Sequence, residues 1–334
     1  MNIRAKNGVW RQSAAALVLC CSVLLAITAQ AGPKASVPRI GFLAFDEGSC
    51  RNEPFVTGLR ELGYLEGKTI VIECRHAGGR DDGIQQAADA LVRSKPAIIV
   101  AFGQQLIIPA QRATKTIPIV MLASGEPVES GFATSLARPG GNLTGLTYYA
   151  TELNAKRLEF LKAVVPRLRR AALLVSPQAP AGLIRAHLRD TRSAAKVLGL
   201  EIVVVEAKGE ADLERAFDEI VKARAQAVLI LPYSAFAKNA QEIADIAKWR
   251  ELPTIHFLTR YSALGGLMAY GPDYGILHRR AAAYVDKILK GASPAELPIE
   301  QPMRFEFSIN LQTARELGLK VPQTLLLRAD KVIQ

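Results

Sequence analysis

Residues 84–101 read Ile84-Gln-Gln-Ala-Ala-Asp-Ala-Leu-Val-Arg-Ser-Lys-Pro-Ala-Ile-Ile-Val-Ala101, and two different periods lie side by side in them. Ile84, Ala87, Ala88, Leu91 and Val92 recur at i, i+3, i+4, i+7 and i+8, which is one apolar stripe along a helix. Ala97–Ala101 shows no alternation at all. A short run that is apolar at every position needs cover on both faces, as in a parallel sheet sandwiched by helices.

The same pairing repeats outward in both directions. Strand-like runs fall at Ile40–Phe45, Thr69–Ile72 and Ile117–Leu122, then at Ala171–Val175, Glu201–Val205, Ala227–Leu231 and Thr254–Phe257. Leu277, Ala281, Tyr284 and Ile288 carry a further helical stripe. Alternating strands and helices give a doubly wound α/β architecture with right-handed crossovers. Eight or more such units overfill one open sheet, so the expectation is two doubly wound parallel-sheet lobes. Divisions fall near the breaker-rich Arg138–Gly145, which turns into a short strand, and near Gly265-Gly266 and Tyr270-Gly271-Pro272. The proline-dotted stretch Pro294–Pro302 gives a third crossing. The expected lobes are residues 38–146 with 272–300, and 147–271 with 301–334. Three crossings make a hinge, and a hinged cleft suits a ligand clamp.

The first 31 residues read as an export signal. Arg4, Lys6 and Arg11 precede an apolar run from Ala14 to Ile27, and Ala29-Gln30-Ala31 offers the small–x–small cleavage pattern. The run is shorter than the roughly 20 residues that span a bilayer. The expected mature chain therefore starts at Gly32 in the periplasm. Formal charge is +11 over 334 residues and falls to about +8 without the leader. Much of the excess lies in Lys156–Arg170 and Arg185–Lys196, read as solvated helix faces. Phe160 is the one aromatic among these charges, too few to stack successive bases, so nucleic acid is not an expected partner. Cys50 and Cys74 remain, each expected just past the end of one of the first two strands. An exported compartment favours a bridge between them over two buried thiols.

Catalytic constellations are thin. His76, His187, His256 and His278 stand at no metal-ligand spacing; His187 and His278, among arginines, are expected exposed, and His256 inside the core. Pro139-Gly140-Gly141-Asn142 lacks the Walker lysine and the dinucleotide glycine spacing. No cofactor is expected. Binding residues are better supplied, because ligands of open α/β sheets sit beyond the carboxyl ends of strands. Those positions give Phe45, Gln104, Gln105, Ser124, Gly125 and Glu126 in the first lobe, with Ser176–Gln178, Thr259-Arg260 and Tyr270–Tyr274 in the second. Ser124-Gly125 allows backbone donors close to a carboxylate. Glu126 either balances an ammonium or caps a helix. Tyr148, Tyr233 and Tyr270, with Ser234, offer walls for an apolar or aromatic ligand.

Taken together, Ile117-Pro-Ile-Val, Gly125-Glu-Pro-Val128 and Ser135-Leu-Ala-Arg-Pro-Gly-Gly-Asn-Leu-Thr-Gly-Leu-Thr147 resemble a family of ABC-transporter substrate-binding proteins. So do Gly58-Leu-Arg-Glu-Leu-Gly-Tyr64, Gly265-Gly-Leu-Met-Ala-Tyr-Gly-Pro-Asp273 and Leu327-Arg-Ala-Asp-Lys-Val-Ile333. The resemblance spans nearly the whole mature chain. It implies a type I periplasmic-binding-protein fold, a monomer that takes a small molecule and hands it to an ABC permease, and no enzyme activity. Members with a recognised ligand look like tryptophan/tyrosine-type binders. Two departures stand out: Glu126 replaces the family's usual Asp, and Leu231–Asn239 differs from the common pattern. The same clamp also suits a sensory receptor partner, and less well an extracytoplasmic α/β enzyme.

Overall fold

Continuous apolar runs become the inner strands of two sheets in the computed structural model, which describes residues 37–125, 127–148 and 153–334. The leader and its cleavage after Ala31 lie outside the described residues, as does Glu126. The first sheet is built from β1 (Arg39–Ala44), β2 (Val71–His76), β3 (Ile98–Ala101), β4 (Ile119–Ser124) and β5 (Leu143–Thr147), all parallel, in the order β2-β1-β3-β4-β5. Between them run α1 (Glu53–Glu61), α2 (Ile84–Arg93) and α3 (Gln104–Ala113). The strand Ile98–Ala101 is buried at every residue, as both-sided cover demands. Helix α2 buries Ile84, Ala87, Ala88 and Leu91, the stripe its period indicates.

The second lobe continues with α4 (Leu153–Val164), β6 (Arg170–Val175), α5 (Ala181–Leu198), β7 (Glu201–Glu206), α6 (Glu210–Lys222) and β8 (Ala227–Ile230). After these come α7 (Ser234–Lys238), α8 (Ala240–Trp249), β9 (Thr254–His256) and β10 (Met268–Pro272). Helix α9 (Tyr274–Leu289) leads to β11 (Phe305–Asn310), α10 (Leu311–Glu316), α11 (Gln323–Leu326) and β12 (Lys331–Ile333). The second sheet has the order β12-β11-β10-β9-β8-β6-β7. Two strands depart from the parallel pattern: β11 runs antiparallel to β10, pairing Tyr270 with Phe307, and β12 lies parallel to β11. Strand β2 also starts later than its apolar run indicates, because the Thr69 and Ile70 N–H groups turn back to the Leu65 carbonyl. This shift puts Cys74 inside β2, opposite Phe42, and a disulfide joins it to Cys50 with the Cα atoms 5.8 Å apart.

The chain crosses between the sheets three times. It leaves the first after Thr147, returns through Pro272–Tyr274, and leaves again through residues 290–304. Helix α9 is returned so closely to α1 that a Cβ on Gly58 would lie 2.4 Å from the Arg279 carbonyl oxygen. Tyr64 Oη donates to Asp286 at 2.9 Å across the same contact. The third crossing is pinned beside β5, where Glu300 N donates to Gly145 O (3.0 Å) and Thr147 N to Glu300 O (2.9 Å). Arg280 then grips the Glu300 carboxylate with two hydrogen bonds of 2.9 and 3.0 Å. Pro38–Gln334 holds together as one unit on these two sheets.

Candidate functional site

The carboxyl ends of strands from both sheets converge on a cleft. Its main chamber, about 920 Å³, receives Phe102–Gln105 from beyond β3, Gln178 from beyond β6, Tyr233 and Ser234 from beyond β8, and Phe257 from beyond β9. Tyr148, just past β5, and Tyr274 and His278 of α9 complete it. Tyr148 and Tyr274 rings sit 6.1 Å apart and His278 lies edge-on to Phe102 at 5.0 Å, so one side of the chamber is aromatic. A second compartment of about 520 Å³ opens beside it and is the more polar of the two, with Asp46, Ser49, Arg51, Lys208 and Lys238 in its walls. Asp46 accepts from Ser49 N and Oγ, which holds its carboxyl below the ordinary range.

Of the residues expected to bind, Gln104, Gln105, Tyr148, Tyr233 and Ser234 come together in the main chamber. Phe45 lines the polar compartment, with Lys238 of the other lobe 5.9 Å over its ring. Ser124 ends β4 opposite Thr147, and Gly125 follows it, where a Cβ would lie 3.2 Å from Tyr148 Oη. Tyr270 goes elsewhere. It lines neither compartment, because its strand aims it at Phe160 (5.2 Å, edge-on) and Phe305. Four residues on, Tyr274 opens α9 and lines the chamber instead.

Three buried polar atoms on the chamber residues have no partner, one of them His278 Nε2. Gln104, 7% exposed, donates through Nε2 to Ser130 Oγ at 2.7 Å and leaves Oε1 unmatched. Tyr233, 6% exposed, leaves its hydroxyl unmatched, and burial raises its pKa. Buried polar atoms are ordinarily hydrogen-bonded, so such atoms at a cleft mark where a ligand bonds. Tyr148 Oη donates to Pro232 O at 3.3 Å and ties the hinge side to the second lobe.

The histidines correct an expectation. His187 and His278 are packed in, not exposed. On α5, Leu183, His187, Thr191 and Ala195 share the buried face, while Arg185, Arg189 and Arg192 point away. Asn154 Nδ2 donates to His187 Nδ1 at 3.0 Å, and burial pushes that imidazole down to about 3. His278 Nδ1 accepts from Asn52 at 3.0 Å, and its burial lowers it to about 4. His256 is fully buried as expected: its Nδ1 accepts from Leu258 N (2.9 Å), so Nε2 donates to Phe236 O (3.3 Å). Arg157 also departs from the solvated basic face assigned to its stretch, being 1% exposed. Its Nε donates to Tyr270 O (2.8 Å) and its Nη1 to Asn154 Oδ1 (2.9 Å).

Residues 44–333 match the model of the family "ABC transporter substrate binding protein". The chain belongs to this family. As a substrate-binding protein it has a ligand to carry and no reaction to catalyse. It is 25% identical over 266 residues to the tyrosine-binding protein of Clostridioides difficile (strain R20291), covering 80% of this chain and 76% of that one. Two solved structures share the fold. A conserved domain protein from Vibrio cholerae superposes with a TM-score of 0.82 at 24% identity, over 89% of this chain and 99% of that one. The ABC domain in complex with L-Trp from Streptococcus pneumonia gives 0.82 at 22% identity, over 89% and 100%. The substrate-binding protein thus has the type I periplasmic-binding architecture, with the cleft between its lobes.

Proposed function

We propose that this substrate-binding protein works in the periplasm, freed from its leader after Ala31, and captures an aromatic amino acid or a related aromatic carboxylate for import. The observation that carries the proposal is the main chamber: aromatic walls at Phe102, Tyr148, Tyr233, Phe257 and Tyr274, with Gln104 Oε1 and Tyr233 Oη unmatched. Flat walls bury a ring, and the few polar atoms orient it. The names of the tyrosine-binding relative and the L-Trp complex agree with that chemistry.

In this mechanism the ligand first meets the Gln104 and Gln105 end of the first lobe and the backbone at Ser124-Gly125. Glu126, next in sequence, receives an ammonium where the ligand has one. The second lobe, residues 147–271 with 301–334, then swings onto the first, residues 38–146 with 272–300, bringing Tyr233 and Ser234 over the ligand. Ligand contacts made only in the closed form shift the lobes toward it. Phe45 closes the polar compartment. A monomer suffices, and the permease recognises the closed lobes.

The test is a thermal-shift and calorimetric screen of Gly32–Gln334 against amino acids, aromatic acids, sugars and purines. A ligand at a hundred times its Kd adds about 2.7 kcal/mol to stability, which a melting curve resolves. Shifts confined to aromatic acids are the expected result. A shift with sugars or purines and none with aromatic acids overturns the proposal.

A further inference from the structure

Arg157 is a buried guanidinium. It sits on α4 with 1% exposure, and among the described residues no Asp or Glu pairs with it. Its two hydrogen bonds go to neutral acceptors, Tyr270 O and Asn154 Oδ1. Burying a cation costs several kcal/mol even after relaxation, and proteins ordinarily recover that cost by pairing it. Desolvation lowers Arg157 to about 10, so it still carries its charge at neutral pH.

The position of that charge is informative. Tyr148, Tyr270 and Tyr274 are near enough for the Arg157 charge to be felt at their hydroxyls, and two of those three rings line the main chamber. On its other side, Asn154 connects it to His187, whose ring meets the chamber residue Tyr233 edge-on at 5.8 Å. The guanidinium is therefore linked to the chamber on two sides, through Asn154 and His187 to Tyr233, and by proximity to Tyr148 and Tyr274. The described chamber wall contains Arg112, Arg260 and His278 but no Asp or Glu. A positive charge held in a low-dielectric wall acts on a bound anion far more strongly than one in water.

Building on the aromatic-ligand reading above, we propose that Arg157 determines specificity by selecting ligands that carry a carboxylate, seated on the Tyr148–Tyr274 side of the chamber. Arg157 acts through the wall and not by contact. Neutral isosteres of the same ring are then rejected for lack of charge, although they fit the aromatic walls equally well.

The test uses matched pairs: L-tyrosine with L-tyrosinamide, L-tryptophan with its amide, and 3-(4-hydroxyphenyl)propionate with its amide. Titration calorimetry on the mature chain measures each acid-to-amide affinity ratio. The expected ratio is about tenfold or more, as a buried charge at short range supplies. It should hold from about 0.05 M to about 0.5 M salt, because buried charges are little screened. Arg157→Gln should bring the ratio to within about threefold of unity, and Arg157→Lys should keep most of it. An acid-to-amide ratio near one in the wild-type protein overturns the proposal. So does a ratio that collapses with salt, which would assign the selection to exposed Arg112 and Arg260, or a loss in Arg157→Gln that falls equally on acid and amide. If Arg157→Gln does not fold, the salt series and Arg157→Lys decide. Binding of neither member of any pair is a different failure, since it removes the aromatic reading itself.

Discussion

Acidification from about pH 7.5 to about pH 5 should remove much of the stability of this protein through three histidines. His187, His256 and His278 have an ordinary value of 6.5, and burial lowers them to about 3, about 3 and about 4. Each lowered value has a visible cause. His187 lies wholly buried beside Arg157, His256 is stacked between Phe257 and Tyr261, and His278 is wedged against Phe102. Below pH 6.5 the unfolded chain therefore takes up protons that the native fold refuses, so stability falls as pH falls until the folded values are reached. At pH 5 linkage gives roughly 2 kcal/mol per histidine and roughly 6 kcal/mol for the three. That is comparable with the whole net stability of a typical domain, about 5–15 kcal/mol. Asp46, Asp286 and Glu300 are lowered carboxyls whose contribution is lost only as pH falls through their folded values, beneath this window. Denaturant titrations followed by circular dichroism at about pH 7.5, 6 and 5 measure the slope directly. Stability that stays within about 1 kcal/mol across the series would refute the reasoning, since it would mean the imidazoles take up protons in the native fold.

Three other outcomes follow from single positions. Replacing Cys50 and Cys74 by Ala opens a loop with a sequence separation of 24 and should cost about 3.5 kcal/mol in denaturant midpoint under oxidising conditions; reductant should produce the same loss in the wild-type protein. Gly145 holds φ at +131°, and a Cβ there would lie 2.2 Å from the Met121 carbonyl oxygen, so Gly145→Ala should cost roughly 3–5 kcal/mol or leave little folded protein to purify. Tyr233→Phe removes a buried, unmatched hydroxyl that the ligand would bond; it should weaken the ligand roughly tenfold, read by calorimetry.

The strands were legible because burial on both faces leaves runs such as Ile98–Ala101 nothing polar to show. Loops after those strands were legible for the same reason, since sheet topology alone sends their carboxyl ends to the cleft. Side-chain direction was harder. His187 has Arg185 and Arg189 two residues to either side, and composition averages the two faces that a helix separates. Arg157 sits next to Lys156 and reads as surface, yet its decisive acceptor is Tyr270 O, 113 residues away in sequence. Tyr270 and Tyr274 are both aromatic and both follow the same glycine-rich turn. Only the pairing of β10 with β11 shows that the first faces Phe160 and the second faces the chamber. The late start of β2 depended on a local turn at Leu65–Ile70, whose hydrogen bonds compete with the ladder.

Among the described residues, weak contacts join the lobes without ligand. Tyr148 Oη reaches Pro232 O at 3.3 Å, Lys238 lies over Phe45, and a Cβ on Gly103 would stand 3.6 Å from Ser234 Oγ. Against them stand Gln104 Oε1 and Tyr233 Oη, shut away from water without partners. Each unmatched buried group costs about 1–3 kcal/mol, so closing an empty cleft is opposed by roughly 2–6 kcal/mol. A ligand that bonds both atoms cancels that penalty only in the closed form. Swinging a two-state equilibrium from 1:99 to 99:1 takes about 5.5 kcal/mol, so these two atoms can supply most of the switch. Tyr233→Phe then has a second consequence. By lifting part of the penalty it should let the empty protein close, so that free and bound scattering profiles converge while affinity falls. A variant that binds less but closes more separates the clamp from its trigger, and unchanged free-state scattering would show that the hydroxyl does not hold the cleft open.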